Sequence, residues 1–311
     1  MIDIVEINLS PLIIGGAAFS GKGGGYGFGS IDDQVVDNII RQSLDFGAKA
    51  IDLAPIYGFG QAEKIVGKLV QSFRSQVFLA SKSGVSWHST KRVNMTNEPK
   101  VTEKMLEQSL RDLGTDYIDA YFIHWPDKNV DIRKPMEVLS RKKEQGLIRY
   151  IGLCNTNVED YKRASEIDEI SILQNEYNLF HNGFEKNLIE CASTTSTSFW
   201  GWGTFDKGII SGSVTKDRTF EKDDCRSWAP WWKKSKKNEK MDLMQKIFRE
   251  VENSDGVSLA LSHAAMSDIK VKPIIGFKSI SQLEGVKKSF EQLNEFAPIY
   301  QKAMSRYFNE Q

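Results

Sequence analysis

Four ionisable side chains, each closing its own apolar run, are the residues of this chain best suited to chemistry. Asp52 and Tyr57 stand in AIDLAPIYGFG, Lys82 in VFLASKSG and His124 in IDAYFIHWPD. The runs 50–53, 77–80 and 118–123 read as strands of a parallel sheet, because strands covered on both faces are apolar almost throughout. Side chains at the C-terminal ends of several parallel strands converge on one mouth, and in a (β/α)8 barrel active sites lie at that mouth. A carboxylate, a phenol, an ammonium and an imidazole meeting there suit proton transfer to or from a carbonyl oxygen.

The elements that must position these groups alternate along the whole chain. Strands are expected at 12–15, 50–53, 77–82, 118–124, 148–153, 170–174, 198–202 and 271–275. Between them apolar residues recur at three- and four-residue steps, as in Val35, Val36, Ile39, Ile40, Leu44 and in Val101, Met105, Leu106, Leu110, Leu113, the spacing of amphipathic helices. Strand–helix alternation implies a parallel α/β sheet, and eight units imply closure into a TIM barrel. An open doubly wound sheet is the second candidate, but no Gly-x-Gly-x-x-Gly follows the first strand as a dinucleotide-binding unit would require. The glycine-rich residues 21–29 read as a flexible loop at the rim of the mouth. A long insertion at 213–240, after the seventh strand, and a tail at 293–311 complete one domain spanning residues 1–311.

Composition narrows the function classes. The chain has 311 residues, 40% of them hydrophobic, which is enough for one large core. Its net charge of zero gives no electrostatic reason to expect nucleic acid or an anionic membrane as partner. The three cysteines, Cys154, Cys191 and Cys225, lack metal-ligand spacing and read as reduced thiols, so no metal is expected. No apolar run has the length of a membrane span, and residues 1–10 lack the pattern of a signal peptide. A cytoplasmic location is expected.

Five blocks carry a family resemblance. IDLAPIYGFGQAEKIVGKLV, ASKSG, YFIHWPD, GLIRYIGLCNTN and PIIGFKSISQLEG resemble, in order, the conserved blocks of the aldo-keto reductases, and they span about residues 9–290. The resemblance implies an NADP-dependent oxidoreductase that reduces an aldehyde, ketone or sugar carbonyl. Tyr57 is then the general acid, Lys82 the ammonium that lowers its pKa, Asp52 the partner that keeps Lys82 charged, and His124 a donor to the substrate oxygen. Asn155 and Gln174 match the positions whose amides hold the nicotinamide carboxamide, with Cys154 where the family usually has Ser. Trp202 matches the aromatic that stacks on the nicotinamide, although Gly203-Thr204-Phe205 replaces the usual Ser-Pro-Leu. Gly276, Lys278, Ser279 and Gln282 match the loop around the adenosine phosphate, where a cation and a hydroxyl suit the 2′-phosphate of NADP (NADPH when reduced). Val286 stands where an adenine-binding Asn is common.

Tyr26, Trp87 and Trp125 are expected to line the substrate pocket, with Phe28 beside them. Such aromatic walls suit a small-molecule carbonyl on an apolar body, or a sugar or sugar nucleotide. For residues 213–240 two readings stand. In one the aromatics pack on the barrel; in the other the segment is a lid over the cofactor pyrophosphate, with Lys216 or Arg218 near the phosphates. The alternative function implied by the same resemblance is a nucleotide-binding regulatory or accessory protein with little turnover.

Overall fold

The computed structural model describes residues 2–23 and 25–308; the last three residues of the expected tail and Gly24 of the first loop lie outside them. Eight strands form the barrel: β1 (Ile13–Gly15), β2 (Ala50–Asp52), β3 (Phe78–Ser83), β4 (Ile118–Ile123), β5 (Ile148–Cys154), β6 (Ile172–Asn178), β7 (Ser198–Trp202) and β8 (Lys272–Ile275). Each pairs in parallel with its neighbours. The ring closes where β1 meets β8, Ile13 opposite Ile274, so no open edge remains among these eight.

The side-chain period of two sorts every strand into an inner and an outer face. Ala50, Phe78, Ala80, Ala120, Phe122, Ile172 and Trp200 fill the interior. The residues between them, such as Ile51, Leu79, Tyr121, Ile123, Leu153 and Leu173, face the helices. Continuing the inner series by one step reaches Asp52, Lys82, His124, Gln174 and Trp202. The polar residues are thus the top layer of the barrel filling. At the other end a short helix, Ile4–Leu9, adds Ile7 to the interior cluster.

The helices follow their apolar stripes. α1 (Asp33–Asp45) starts at the N-cap Asp32 and buries Val36, Ile39 and Ile40. α2 (Gln61–Val70) follows β2, and α3 (Pro99–Leu113) buries Met105, Leu106 and Leu113 before Gly114 ends it in the left-handed region. α4 (Arg133–Glu144), α5 (Val158–Ser165) and α6 (Lys186–Ala192) serve the next three units. α7 (Lys237–Glu250) and α8 (Gly256–Ala265) lie between β7 and β8; α9 (Ile280–Glu291) and α10 (Leu293–Tyr307) follow β8.

Three segments depart from the sequence reading. β6 begins and ends later than expected, because the polar run after Gln174 stays extended, with Asn175 donating to Gly183 O at 2.6 Å and Asn178 to Gly203 O at 3.1 Å. The insertion is not a plain loop: it contains helical turns at Cys225–Ser227 and Pro230–Lys233 and runs into α7. The described part of the tail is α10, which shares a second apolar cluster with the insertion and α7 through Trp232, Met241, Met244, Ile247, Ala303 and Phe308.

One buried carboxyl outside the mouth has a thermodynamic signature. Glu63, on α2, is fully buried and accepts from Ser81 Oγ at 2.7 Å. Burial pushes its pKa from 4.5 up to about 7, with hydrogen bonds from Ser81 and Ser109 opposing. A folded-state value above the unfolded one means that the unfolded chain ionises first as the pH rises. Stability is therefore lost between pH 4.5 and 7 and constant above, by about 3 kcal/mol at ~1.4 kcal/mol per pH unit. Glu63→Gln should remove this term, so denaturation of the two proteins compared across that window should show wild type losing stability relative to the variant. Parallel curves would place the Glu63 pKa at its ordinary value.

Candidate functional site

The strongest contact in the mouth is the ion pair of Lys82 and Asp52, Nζ to Oδ1 at 2.6 Å, with Lys82 wholly buried. Lys82 Nζ also donates to Leu53 O at 2.8 Å, and Gln174 Nε2 donates to Asp52 Oδ1 at 2.8 Å. Burial by itself would strip the proton from Lys82. Burial is the largest single effect, but the Asp52 carboxylate, through its charge and its hydrogen bond, together with Tyr57 and Cys154 more than offsets it, and the lysine pKa lies above its ordinary value.

Tyr57 reaches this pair from the turn after β2. The Lys82 ammonium lies 5.3 Å from its ring centroid, and its ring stands edge-on to that of His124 with centroids 6.3 Å apart. The sequence leads one to expect that Lys82 lowers the phenol pKa. Lys82 does act in that direction, but burial is the larger effect, and the net value is pushed up to about 12. The phenol therefore holds its proton across the ordinary pH range. His124 is held well below the usual imidazole value, by burial first and by the Lys82 charge second, so it is neutral. Asp52, Tyr57, Lys82 and His124 are thus brought together.

The residues expected around a nicotinamide also meet. Asn155, in the left-handed region at φ 54°, donates through Nδ2 to His124 O at 3.0 Å and to Cys154 Sγ at 3.1 Å. Its Oδ1 accepts from Trp202 Nε1 at 3.0 Å, while Cys154 Sγ donates to Gln174 Oε1 at 3.3 Å. The thiol thus takes part in the network in both directions, and burial pushes its pKa up, which keeps it protonated. Beyond Trp202 the backbone turns through two successive non-glycine residues with positive φ, Asp206 at 41° and Lys207 at 59°. Lys207 pairs with Glu176 at 2.7 Å and Asp206 at 2.9 Å, and its ammonium lies 5.6 Å from the Trp202 ring centroid.

The loop after β8 is arranged differently from expectation in one respect. Ser279 caps α9, accepting from Gln282 N, and Gln282 Oε1 accepts from Lys278 N at 2.7 Å. Lys278 Nζ donates to three carbonyls, Ala18 O at 3.3 Å, Gly29 O at 2.7 Å and Ser30 O at 2.9 Å. Burial lowers its pKa to about 8, with Asp224 and Asp223 opposing. The lysine nominated for a phosphate thus clamps the first loop.

That loop is sewn at both ends. Gly25 forms a bridge with Tyr57, and Phe28 with Asp224. Cys225 N donates to Gly27 O at 2.9 Å and Ser30 N to Asp223 Oδ2 at 2.8 Å. The loop and the insertion therefore form one cover, reaching from Tyr57 to Lys278.

Tyr26 and Trp87 pack in one apolar cluster with Tyr57, Phe59 and Val85, while Trp125, which follows His124, is exposed. Phe59 and Trp228 are two aromatics that the sequence reading does not place here. Trp228 meets Tyr26 edge-on at 5.4 Å, and Phe59 packs on Trp87 at 5.3 Å. Phe28 instead faces the Arg226 guanidinium at 5.1 Å. Phe59 had a signal: a bulky residue between Gly58 and Gly60, held at φ 53° between two glycines that are also left-handed.

Comparison with known proteins agrees with this geometry. The family model described as Aldo/keto reductase family matches residues 11–298. The chain is 32% identical over 272 residues to aldo-keto reductase YhdN of Bacillus subtilis (strain 168), covering 85% of this chain and 81% of that protein. It is 28% identical over 226 residues, 68% of each chain, to the NADH-specific methylglyoxal reductase of Escherichia coli (strain K12). Among solved structures, the glycerol dehydrogenase AKR11B4 from Gluconobacter oxydans matches with a TM-score of 0.76 at 26% identity, covering 96% of this chain and 92% of that one. A match across most of the barrel, with the same fold, makes this chain a member of the aldo/keto reductase family.

Proposed function

We propose that the chain reduces the carbonyl of a small molecule to an alcohol, using a nicotinamide dinucleotide and Tyr57 as general acid. The observation that carries this reading is the buried Asp52–Lys82 pair set against a protonated phenol and a neutral imidazole. The nicotinamide, when bound, supplies the hydride, which no side chain can. The chain supplies the proton and the environment for the oxygen. Tyr57 keeps its proton until negative charge develops on that oxygen, and Lys82 then favours the phenolate left behind. His124, being neutral, can donate one ring N–H to the same oxygen without a charge of its own to discharge.

The residues present fit a dinucleotide. A Cβ at Gly276 would come to 3.0 Å from the Ala18 Cβ and 3.2 Å from Gly15 O, so a side chain there would crowd the ends of β1 and β8. Gln174 uses one of its two N–H groups on Asp52, and the second is in no hydrogen bond among the described residues. Asn155, Gln174 and Trp202 would hold the nicotinamide end; Gly276, Lys278, Ser279 and Gln282 would hold the adenosine end. Of the two dinucleotides, Lys278 and Ser279 favour NADP, with Lys278 Nζ exchanging one of its three carbonyl partners for the 2′-phosphate. The NADH-specific relative shows that membership of the family does not choose between them. The aromatic rim of Tyr26, Trp87 and Trp125 suits a carbonyl on an apolar body or a sugar ring, which stacks on aromatic faces.

Tyr57→Phe deletes only the hydroxyl. Carbonyl reduction should fall by about 10² or more, the scale of a lost positioned acid, while dinucleotide binding stays near wild type. Lys82→Met should act in the same direction, because losing the ammonium raises the phenol pKa still further. Steady-state rates and binding titrations check both; retained turnover with weakened cofactor binding would make Tyr57 structural.

NADP should bind roughly ten- to a hundredfold more tightly than NAD, the worth of one charge-assisted bond of about 1.5–3 kcal/mol. Lys278→Met should abolish the difference, and in wild type the preference should decline as the pH rises past about 8, where Lys278 loses its charge. Equal affinities in wild type would remove Lys278 from the phosphate site.

A further inference from the structure

Three successive residues after the phenol, Gly58, Phe59 and Gly60, have left-handed backbone, at φ 64°, 53° and 87°. Glycine adopts that region freely and a bulky residue does not, so Phe59 occupies a conformation that its own preferences oppose. Strain of this kind persists only where the surroundings over-determine it, and it gathers at functional sites. Here the surroundings are specific. The Phe59 ring lies 5.3 Å from that of Trp87, and the Lys91 ammonium is 5.2 Å from its centroid. On another side, a Cβ built at Gly25 would come to 3.3 Å from Phe59 Cδ2, so the ring abuts the first loop where that loop bridges Tyr57.

Trp87 and Lys91 belong to a separate segment, an antiparallel hairpin that pairs Val85–Trp87 with Val93–Met95. His88 N donates to Arg92 O at 2.9 Å and closes its tip. Phe59 therefore touches both the first loop and the hairpin, from the turn that carries Tyr57. Tyr26, Tyr57, Phe59 and Trp87 share one apolar cluster, so the phenol is one ring of an aromatic wall. A carbonyl oxygen that reaches the Tyr57 hydroxyl must lay the rest of its molecule near this wall. Phe59, held between two segments on a left-handed backbone, is the member least able to give way.

We infer that Phe59 is a specificity-determining residue, a fixed stop between the first loop and the hairpin that excludes carbonyls carried on broad, fused-ring bodies. The inference rests on the reading of Tyr57 as the acid that meets a carbonyl oxygen. Without the ring, space opens between the two segments, and a glycine at this position fits the left-handed backbone with no strain. A wider aldehyde then gains room with no change at Asp52, Tyr57, Lys82 or His124. One methylene of room in a pocket changes selectivity by roughly ten- to two-hundredfold, and a phenyl ring is larger.

The test uses the full chain with NADPH and two aldehydes of different width, propanal and 2-naphthaldehyde. The readout is the ratio of their kcat/KM values, from which intrinsic reactivity cancels when variants are compared. Phe59→Gly should move the ratio by about tenfold or more toward 2-naphthaldehyde, while kcat for propanal stays within about threefold of wild type. Phe59→Asn, whose side chain also tolerates left-handed backbone, should do the same. Phe59→Tyr, which keeps the ring, should keep the wild-type ratio. A purely structural role would depress both aldehydes together. An unchanged ratio, a shift toward propanal, or equal loss of both activities in the two variants without the ring would overturn the inference. Turnover of neither aldehyde by wild type would overturn the reading of Tyr57, and the inference with it.

Discussion

An ammonium wholly removed from water keeps its charge only if a carboxylate stays beside it, and the mouth of this barrel is organised around that requirement. Lys82 on β3 is held by Asp52 on β2, and Asp52 is held in turn by Gln174 on β6. One ionic contact thus ties three strands of the ring. Removing either partner of such a pair typically costs 3–5 kcal/mol, because the other is left charged and uncompensated. The same charge sets the state of its neighbours. It adds to burial in keeping His124 neutral, and it works against burial at Tyr57, where burial is the larger effect. The phenol is consequently an acid in waiting rather than a phenolate.

The four ionisable residues were legible in the sequence because strand chemistry is local. A period of two and an apolar run suffice to say which residue closes the inner layer, and Asp52, Lys82 and His124 each do so. Helix stripes were legible for the same reason, down to Met105, Leu106 and Leu113 on α3. Contacts between remote segments were not. The three carbonyls that hold Lys278 lie about 250 residues away along the chain, and nothing in Gly276-Phe277-Lys278-Ser279 announces them. Trp228 reached the mouth unforeseen because its place depends on the bridge between Phe28 and Asp224.

The insertion illustrates how composition can be right while organisation stays hidden. Its tryptophans suggested either packing or a lid. Trp232 is buried in an apolar cluster that α7 and α10 complete, so part of the segment is core rather than covering. Asp223 and Cys225 also bond to the first loop, and Trp228 meets Tyr26.

Glycine-rich loops are commonly equated with freedom of movement, and the loop at 21–29 was expected to be flexible. Its glycines also make room for close approach. A Cβ at Gly25 would come to 2.9 Å from Ile56 O, immediately before Tyr57, so the bridge between them needs a residue with no side chain. From there the chain has only a few residues in which to reach Phe28, its contact with the insertion. Chain length is therefore as constrained here as residue type. Lengthening this loop by a single residue, a change that surface loops ordinarily absorb, would either slip one of the two bridges or displace the phenol they help to hold.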